Sequence, residues 1–187
     1  MMCVTDYRHT SELMLIEWIE LHVLLGASEI IIYKIYASEF VSMVLESYVK
    51  DTGQDGVRLT VIPWHFPSNR ITDHFNQHEA MNDCIYRAAL RHRYVVVSDL
   101  DEVLVHRKPG GWPKFIADEG RDSGVGAFLF QHAYFRCNYT SPASGRRERS
   151  PYLVTLQSLW RTDVVKPPGK ICCKVYDSRI PRRHHTL

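Results

Sequence analysis

A buried strand that ends in three carboxylates constrains this chain more than any other feature. Residues 93–102 read RYVVVSDLDE, so strand-favouring residues lead directly into Asp99, Asp101 and Glu102. Carboxylates this close repel one another and are costly to desolvate. They persist at a strand end when a divalent cation or a proton offsets their charge. The segment therefore predicts a metal site, and the plain alternative is a solvated acidic turn.

Strand and helix patterns alternate on the amino-terminal side of that segment. This order is typical of a right-handed, mostly parallel α/β sheet with flanking helices. Ligands of such sheets bind beyond the carboxyl ends of the strands, which is where the three carboxylates fall. The predicted elements are a strand at Cys3–Val4, a helix over 11–25, a strand over 29–33, a helix over 39–50 capped by Ser38, a strand over 58–62, a helix over 73–92 and a strand over 94–98.

The buried faces of two helices can also be predicted from their apolar spacing. In the first helix the predicted face is Leu15, Ile16, Ile19, Val23 and Leu24, and in the third it is Ala80, Met81, Cys84, Ile85, Ala88 and Ala89.

Beyond Pro109 the pattern weakens, and we expect a short helix over 112–118, strands over 125–130 and 133–137, and a loop over 141–150.

Size and composition exclude several classes of protein. The 187 residues suit one domain, and a formal net charge of +2 is too small for a nucleic-acid surface. The longest apolar stretch, 13–25, contains two glutamates and a histidine, so we expect no bilayer span. Five cysteines form no CxxC pair, which argues against a thiolate zinc site, and Cys84 is predicted to be a buried free thiol.

The acidic segment is compatible with two chemistries. An Asp-x-Asp pair can hold Mg²⁺ or Mn²⁺ against diphosphate oxygens, because hard oxygen ligands suit hard cations, and the donor would then be a nucleotide sugar. Residues 99–105 also resemble the aspartyl phosphatase signature of the haloacid dehalogenase superfamily, whose first Asp is a nucleophile. That superfamily places the motif on its first strand and needs a later acidic strand end. Here three strand units precede the motif, which disfavours the phosphatase.

A longer stretch, from Glu12 to Lys108, resembles glycosyltransferase family 92. The matching blocks follow the family's order and spacing over roughly half of the chain, which is more specific than the acidic segment alone. Lys34 departs from the family pattern, in which a small polar or acidic residue is common, and His106 replaces a usual proline. The blocks are Glu17-Trp18-Ile19-Glu20, Leu25-Gly26-Ala27, Ile32-Tyr33, Gln77 with Ala80, Asn82-Asp83-Cys84-Ile85-Tyr86-Arg87, and Asp99-Leu100-Asp101-Glu102.

The resemblance implies a metal site and roles for its residues. Asp101 is the expected direct ligand, and Asp99 is expected to bind the metal, the donor ribose or a water on the ion. A third ligand is implied at His184, or else at His185, because the basic segment that precedes them is similar to a family segment that ends in a histidine. The alternative for these two histidines is a frayed, solvent-exposed tail.

Further contacts follow from the same resemblance. Glu12, Gln77 and Asn82 are candidates for contacts to the donor base or ribose. The alternatives are that Glu12 only caps the first helix with Ser11 and that Gln77 is an exposed helix residue.

Two more carboxylates are candidates on the acceptor side. If the strand continues, Glu102 points to the opposite side and contacts the acceptor or forms a salt bridge with Arg93 or Arg107. Inversion needs a base, for which Asp163 is a weak candidate.

The sequence as a whole therefore predicts an incomplete, single-domain α/β fold of the GT-A, Rossmann-like type. Residues 1–108 would form the nucleotide-sugar-binding half and residues 109–187 the acceptor and metal-completing half. The resemblance implies inverting transfer of galactose from UDP to a glycan with Mn²⁺ or Mg²⁺, and a Golgi lumenal location through a membrane anchor that this chain lacks. We expect no nucleic-acid partner. The alternative from another class is a catalytically inactive carbohydrate- or nucleotide-binding remnant.

Overall fold

The computed structural model describes residues 1–6, 11–51, 57–64, 77–105, 109–119, 127–136 and 171–184. It divides into two compact units, Met1–Ile19 with Ala27–Leu100 and Glu20–Gly26 with Asp101–Leu187. No helix of the described residues is long and apolar enough to cross a bilayer. The elements are β1 (Met2–Asp6), α1 (Glu12–Leu25), β2 (Glu29–Lys34), α2 (Glu39–Lys50), β3 (Arg58–Pro63), α3 (Gln77–Ala88), β4 (Val96–Val97), β5 (Glu102–Val105), α4 (Gly111–Glu119), β6 (Ala127–Arg136) and β7 (Ile171–His184).

The first unit is built on a parallel sheet with the strand order β3-β2-β1-β4. Strand β2 is buried on both faces, with Ile30, Ile31 and Ile32 at most 1% exposed. A continuous β-branched run of this kind is typical of a strand covered on both sides, and the predicted parallel sheet is confirmed. Because every strand is parallel, all four carboxyl ends meet at one edge of the sheet.

Helix α2 begins where its sequence predicts. The side chain of Ser38 accepts a hydrogen bond from the backbone nitrogen of Val41 at 3.1 Å and satisfies one of the free amides of the first turn. Its inward face is formed by Val41 and Leu45, which are both 2% exposed.

The buried face of helix α1 was predicted only in part: Leu15 and Ile19 are buried as expected. The buried residues are Leu15, Glu17, Trp18, Ile19 and His22, and all but Glu17 follow the spacing i, i+3, i+4 and i+7. Leu24, which we expected on the buried face, is 83% exposed. The prediction was wrong for Leu24 because α1 carries apolar residues around most of its circumference, so spacing alone does not define the edge of the buried face.

Helix α3 is joined to the sheet by a disulfide bond. Its inward face consists of Ala80, Cys84 and Ala88, each 0% exposed, and small side chains let the helix approach the strands closely. Cys84 forms a disulfide with Cys3 of β1, with the two Cα atoms 6.2 Å apart. The prediction of a buried free thiol was therefore wrong about the thiol, although the residue is buried. Ile85, also predicted to face the sheet, is 45% exposed.

The second unit contains the sheet β5-β7-β6, in which β5 and β7 are parallel and β6 and β7 are antiparallel. The predicted short helix is confirmed as α4, whose Phe115 ring lies 5.2 Å from that of Phe128 and 5.5 Å from that of Phe130. One strand, β6, replaces the two strands predicted over 125–137. Its pairing with β7 continues through register shifts, which allow a single strand to cross a break in the apolar pattern.

Candidate functional site

Three carboxylates converge directly after β4. One oxygen atom each from Asp99, Asp101 and Glu102 lies within 4.8 Å of the others. Asp99 and Asp101 are half-buried, and Glu102 is only 6% exposed. These residues span four positions of the chain, so the arrangement is a local property of this segment. Three hard oxygen donors at this spacing suit a hard divalent cation.

The turn that separates β4 from β5 explains this convergence. We expected Glu102 on the opposite side on the condition that the strand continues. A turn at Leu100 and Asp101 interrupts the strand, and Glu102 is the first residue of β5. Alternation of side chains therefore does not apply across the segment, and Glu102 lies with the two aspartates. The interaction of Glu102 with Arg93 or Arg107, and with an acceptor, stays a prediction.

Gln77, the first residue of α3, contacts the acidic segment. Its Nε2 donates a hydrogen bond to Oδ1 of Asp99 at 2.7 Å. A carboxylate that accepts from a neutral amide forms a charge-assisted bond, which is stronger than one between two neutral groups. The helix thus holds one oxygen of the aspartate, although the two residues are 22 positions apart in the chain.

A small cavity adjoins this contact within the first unit. Its wall includes Gln77, Val4, Tyr33 and Ser98, and it has room for about one water molecule. Ser98 is 7% exposed, and its Oγ has no hydrogen-bond partner among the described residues. A buried hydroxyl without a partner is costly unless water or a ligand satisfies it. The residue next to Asp99 therefore offers a polar group to whatever enters the cavity.

A second polar link joins α3 to β2. The hydroxyl of Tyr33 donates to Oδ2 of Asp83 at 2.6 Å, and Nε of Arg87 donates to the same oxygen at 2.5 Å. The hydrogen bond from Arg87 holds the pKa of the Asp83 carboxyl below its usual range. Burial raises the pKa of Tyr33 above its ordinary value, and the bond to Asp83 raises it further. Trp64 packs edge-on against the Tyr33 ring at 5.1 Å.

Two other residues predicted to contact the donor, Glu12 and Asn82, lie at the start of α1 and on α3. Glu12 is the first residue of α1, and the neighbouring Ser11 accepts from the backbone nitrogen of Met14 at 3.3 Å, so the helix start has its own cap. Asn82 is exposed on α3. It follows Gln77 by five residues, about 140° around the helix, so the two side chains leave different faces. Their contacts to a donor stay predictions.

The remaining predicted site residues lie at the edge of the described structure or outside it. His184 is the last residue of β7, and its backbone pairs with Ala127 of β6. Its role as a ligand stays a prediction. Asp163 and His185 lie outside the described residues.

Sequence reasoning selected Gln77 but missed its contact with Asp99. A usable signal was present, because Gln77, Ala80 and Cys84 follow the spacing i, i+3 and i+7 and therefore share the sheet-facing side of α3. Ser98 had no comparable signal, since one serine before an acidic residue is common in turns and strand ends alike.

The chain matches a known protein family. The model of a family described as Glycosyltransferase family 92 matches residues 1–174. The matched region includes the first sheet, α3 and the acidic cluster, and it ends within β7, ten residues before His184. No curated protein and no solved structure matches the chain.

Proposed function

The chain belongs to glycosyltransferase family 92 and has a GT-A-like α/β fold, and on this premise we propose that it transfers galactose from UDP-galactose to a glycan acceptor with inversion at the sugar. Transfer between a nucleotide-sugar donor and a glycan acceptor follows from the family. The identity of the sugar, the stereochemistry and the metal are the proposed part.

The convergence of Asp99, Asp101 and Glu102 within 4.8 Å is the observation that supports this proposal. Carboxylates at this distance repel one another when ionised, and a divalent cation reduces that repulsion. We propose that Asp101 binds Mn²⁺ or Mg²⁺ directly and that Asp99 contacts the metal or the donor ribose. A bound ion would supply positive charge to the departing diphosphate.

The position of the cluster also supports a nucleotide donor. It follows β4 at the edge where the carboxyl ends of the parallel strands meet, and this edge is the usual ligand site of an open parallel sheet. Gln77 and Ser98 provide further polar groups at the same edge. Glu102 and Asp163 stay the candidates for the acceptor side, where inversion requires a base.

The disulfide between Cys3 and Cys84 supports a lumenal location. Disulfides persist in oxidising compartments and are rare where glutathione keeps thiols reduced. We propose that the domain acts in the Golgi lumen, attached through a membrane anchor outside the described residues.

Thermal unfolding with and without ligands tests the metal-dependent donor site. UDP-galactose at about 100 times its Kd should raise the Tm by roughly 5–10 °C in the presence of Mn²⁺, and by much less after chelation. Asp101→Asn should remove this shift because it replaces a charged ligand by a neutral amide. The matched control is Glu46→Gln, the same change at an exposed position of α2.

Equal stabilisation of wild type and Asp101→Asn would contradict the assigned role of Asp101. Release of UDP in the presence of a glycan acceptor then separates an active enzyme from a binding remnant. Covalent labelling of Asp99 by a phosphate mimic would instead favour the phosphatase chemistry.

A further inference from the structure

We infer that Gln77 is a positioning residue, which fixes the orientation of Asp99 and thereby sets the affinity of the site for its metal and donor. The inference rests on the proposed function, because it assigns Gln77 a role that acts through Asp99. It differs from a direct contact between Gln77 and the donor base or ribose, and the two roles make different predictions.

The hydrogen bond itself constrains the geometry. An ionised carboxylate only accepts hydrogen bonds, so the group of Gln77 that faces Oδ1 of Asp99 is the amide nitrogen. The 2.7 Å bond restrains the rotation of the carboxylate about its own axis. The orientation of Oδ2, the second carboxylate oxygen of Asp99, is thereby restrained as well. Partners that orient ligand side chains in this way commonly change metal affinity by about 10–100-fold.

The backbone of Gln77 is itself held in place by contacts further along α3. Cys84, two turns after Gln77 on the same face, is disulfide-bonded to β1, the strand adjacent to β4. Asp83 accepts a hydrogen bond from Tyr33 of β2. Helix α3 is therefore linked to β1, β2 and the end of β4 by three different side-chain interactions. An amide donor on such a fixed helix is preorganised, so binding does not have to order it.

An NMR experiment tests the contact without metal or activity. The chain has four glutamines, so selective ¹⁵N labelling of glutamine gives four pairs of side-chain amide resonances. The Gln77 pair is the one lost in Gln77→Met, a substitution of similar length that has no donor. In Asp99→Ala the chemical shifts of this pair should move towards those of a solvent-exposed side-chain amide. If the chemical shifts of the Gln77 pair are the same in Asp99→Ala as in wild type, the inference is overturned.

Binding of Mn²⁺, measured from the electron paramagnetic resonance signal of the free ion, tests the consequence. Gln77→Met should raise the Kd for Mn²⁺ by about 10–100-fold, while the affinity for UDP without metal stays at the wild-type value. The control is Glu79→Met in the same first turn of α3, which is exposed and should bind as wild type does. A direct donor contact by Gln77 would instead weaken UDP binding without metal.

The outcomes separate the two proposals. If wild type binds Mn²⁺ and UDP but Gln77→Met binds Mn²⁺ equally well, the positioning role is overturned and the proposed function stands. If wild type binds neither, the proposed function fails and the positioning role falls with it. Gln77→Ala repeats the measurement with a second substitution, and far-UV circular dichroism verifies that both variants fold.

Discussion

Two buried polar residues of β2, Tyr33 and Glu29, have specific partners. Tyr33 is 1% exposed, and its hydroxyl donates to Asp83. Glu29 is 4% exposed at the start of β2 and pairs with Nε2 of His92 and, at 3.3 Å, with Nη1 of Arg91. Because a buried polar group without a partner costs roughly 1–3 kcal/mol, these contacts restrict which side chains the positions accept.

Tyr33→Phe should show a pH-dependent effect on stability. The folded pKa of Tyr33 lies above its ordinary value of 10.0, so the contribution of this group is complete below about pH 10 and is lost as the pH rises towards the folded pKa. At about pH 8 the variant should be less stable by about 1 kcal/mol, since it lacks one hydrogen bond. Near pH 11 the free energy of unfolding of the wild type alone should have fallen by about 1.4 kcal/mol through the titration of this group. The stability difference between wild type and variant therefore closes or reverses.

Urea unfolding of wild type and Tyr33→Phe at the two pH values measures the difference between their free energies of unfolding. Since the other tyrosines are common to both proteins, their titration cancels in the comparison. A stability difference that stays constant between the two pH values would contradict the proposed shift at Tyr33.

At the scale of elements, two glycines determine how closely α1 and α4 approach in the second unit. Gly26 follows α1 with φ of +107°, and a Cβ there would lie 2.7 Å from Cδ of Pro113. Gly111 begins α4 with φ of +59°, and a Cβ there would lie 2.6 Å from the backbone oxygen of Leu25. Both positions therefore need a left-handed backbone and lack space for a side chain.

Gly111→Ala should destabilise the protein by about 2–4 kcal/mol. The left-handed conformation costs an alanine about 1–2 kcal/mol, and the clash with the Leu25 carbonyl adds to this because a backbone atom cannot rotate away. Thermal unfolding of the variant measures the loss. Ala117→Gly, at an exposed position inside α4, controls for helix propensity and should cost only about 1 kcal/mol. Equal losses would show that the close approach does not matter.

The sequence predicts the elements of the first unit better than their contacts. The order of strands and helices, the cap at Ser38 and the buried run of β2 depend on local patterns and are confirmed. The exact buried side of α1 and the length of β6 depend on neighbouring elements; the prediction was wrong at Leu24 of α1 and wrong for β6. For β7, Ile171–His184, no strand was predicted, because pairing with β5 and β6 supplies its partners and its sequence lacks alternation.

The candidate site shows the same division between local and long-range information. The acidic segment could be predicted, because the carboxylates lie within four residues and follow a readable strand. The contact between Gln77 and Asp99 could not, since it depends on how α3 lies over the sheet. Glu102 was expected on the opposite side only if the strand continued, and whether it continues could not be decided from the sequence; a turn interrupts it, and Glu102 lies in the cluster.

At the scale of the whole molecule, the disulfide between Cys3 and Cys84 is a covalent cross-link between residues that are far apart in the sequence. It closes a loop between Cys3 and Cys84, which are 81 positions apart, and this loop contains β2, α2 and β3. The bond attaches α3 to an inner strand of the first sheet, because β1 pairs with both β2 and β4. Loss of the bond would therefore affect the whole sheet and, through α3, the position of Gln77.

Replacement of both cysteines by serine should lower the free energy of unfolding by about 2–5 kcal/mol. An 81-residue loop corresponds to about 4.5 kcal/mol in the chain-entropy account, and relaxation reduces the observed value. Denaturant unfolding of oxidised wild type and Cys3→Ser/Cys84→Ser measures the effect. Dithiothreitol should destabilise the wild type by a similar amount and leave the double variant unchanged, because only the wild type has this bond to reduce. A double variant as stable as the oxidised wild type would show that packing of Ala80 and Ala88 holds α3 on the sheet without the bond. Gln77 would then be fixed by that packing and by the hydrogen bond between Tyr33 and Asp83.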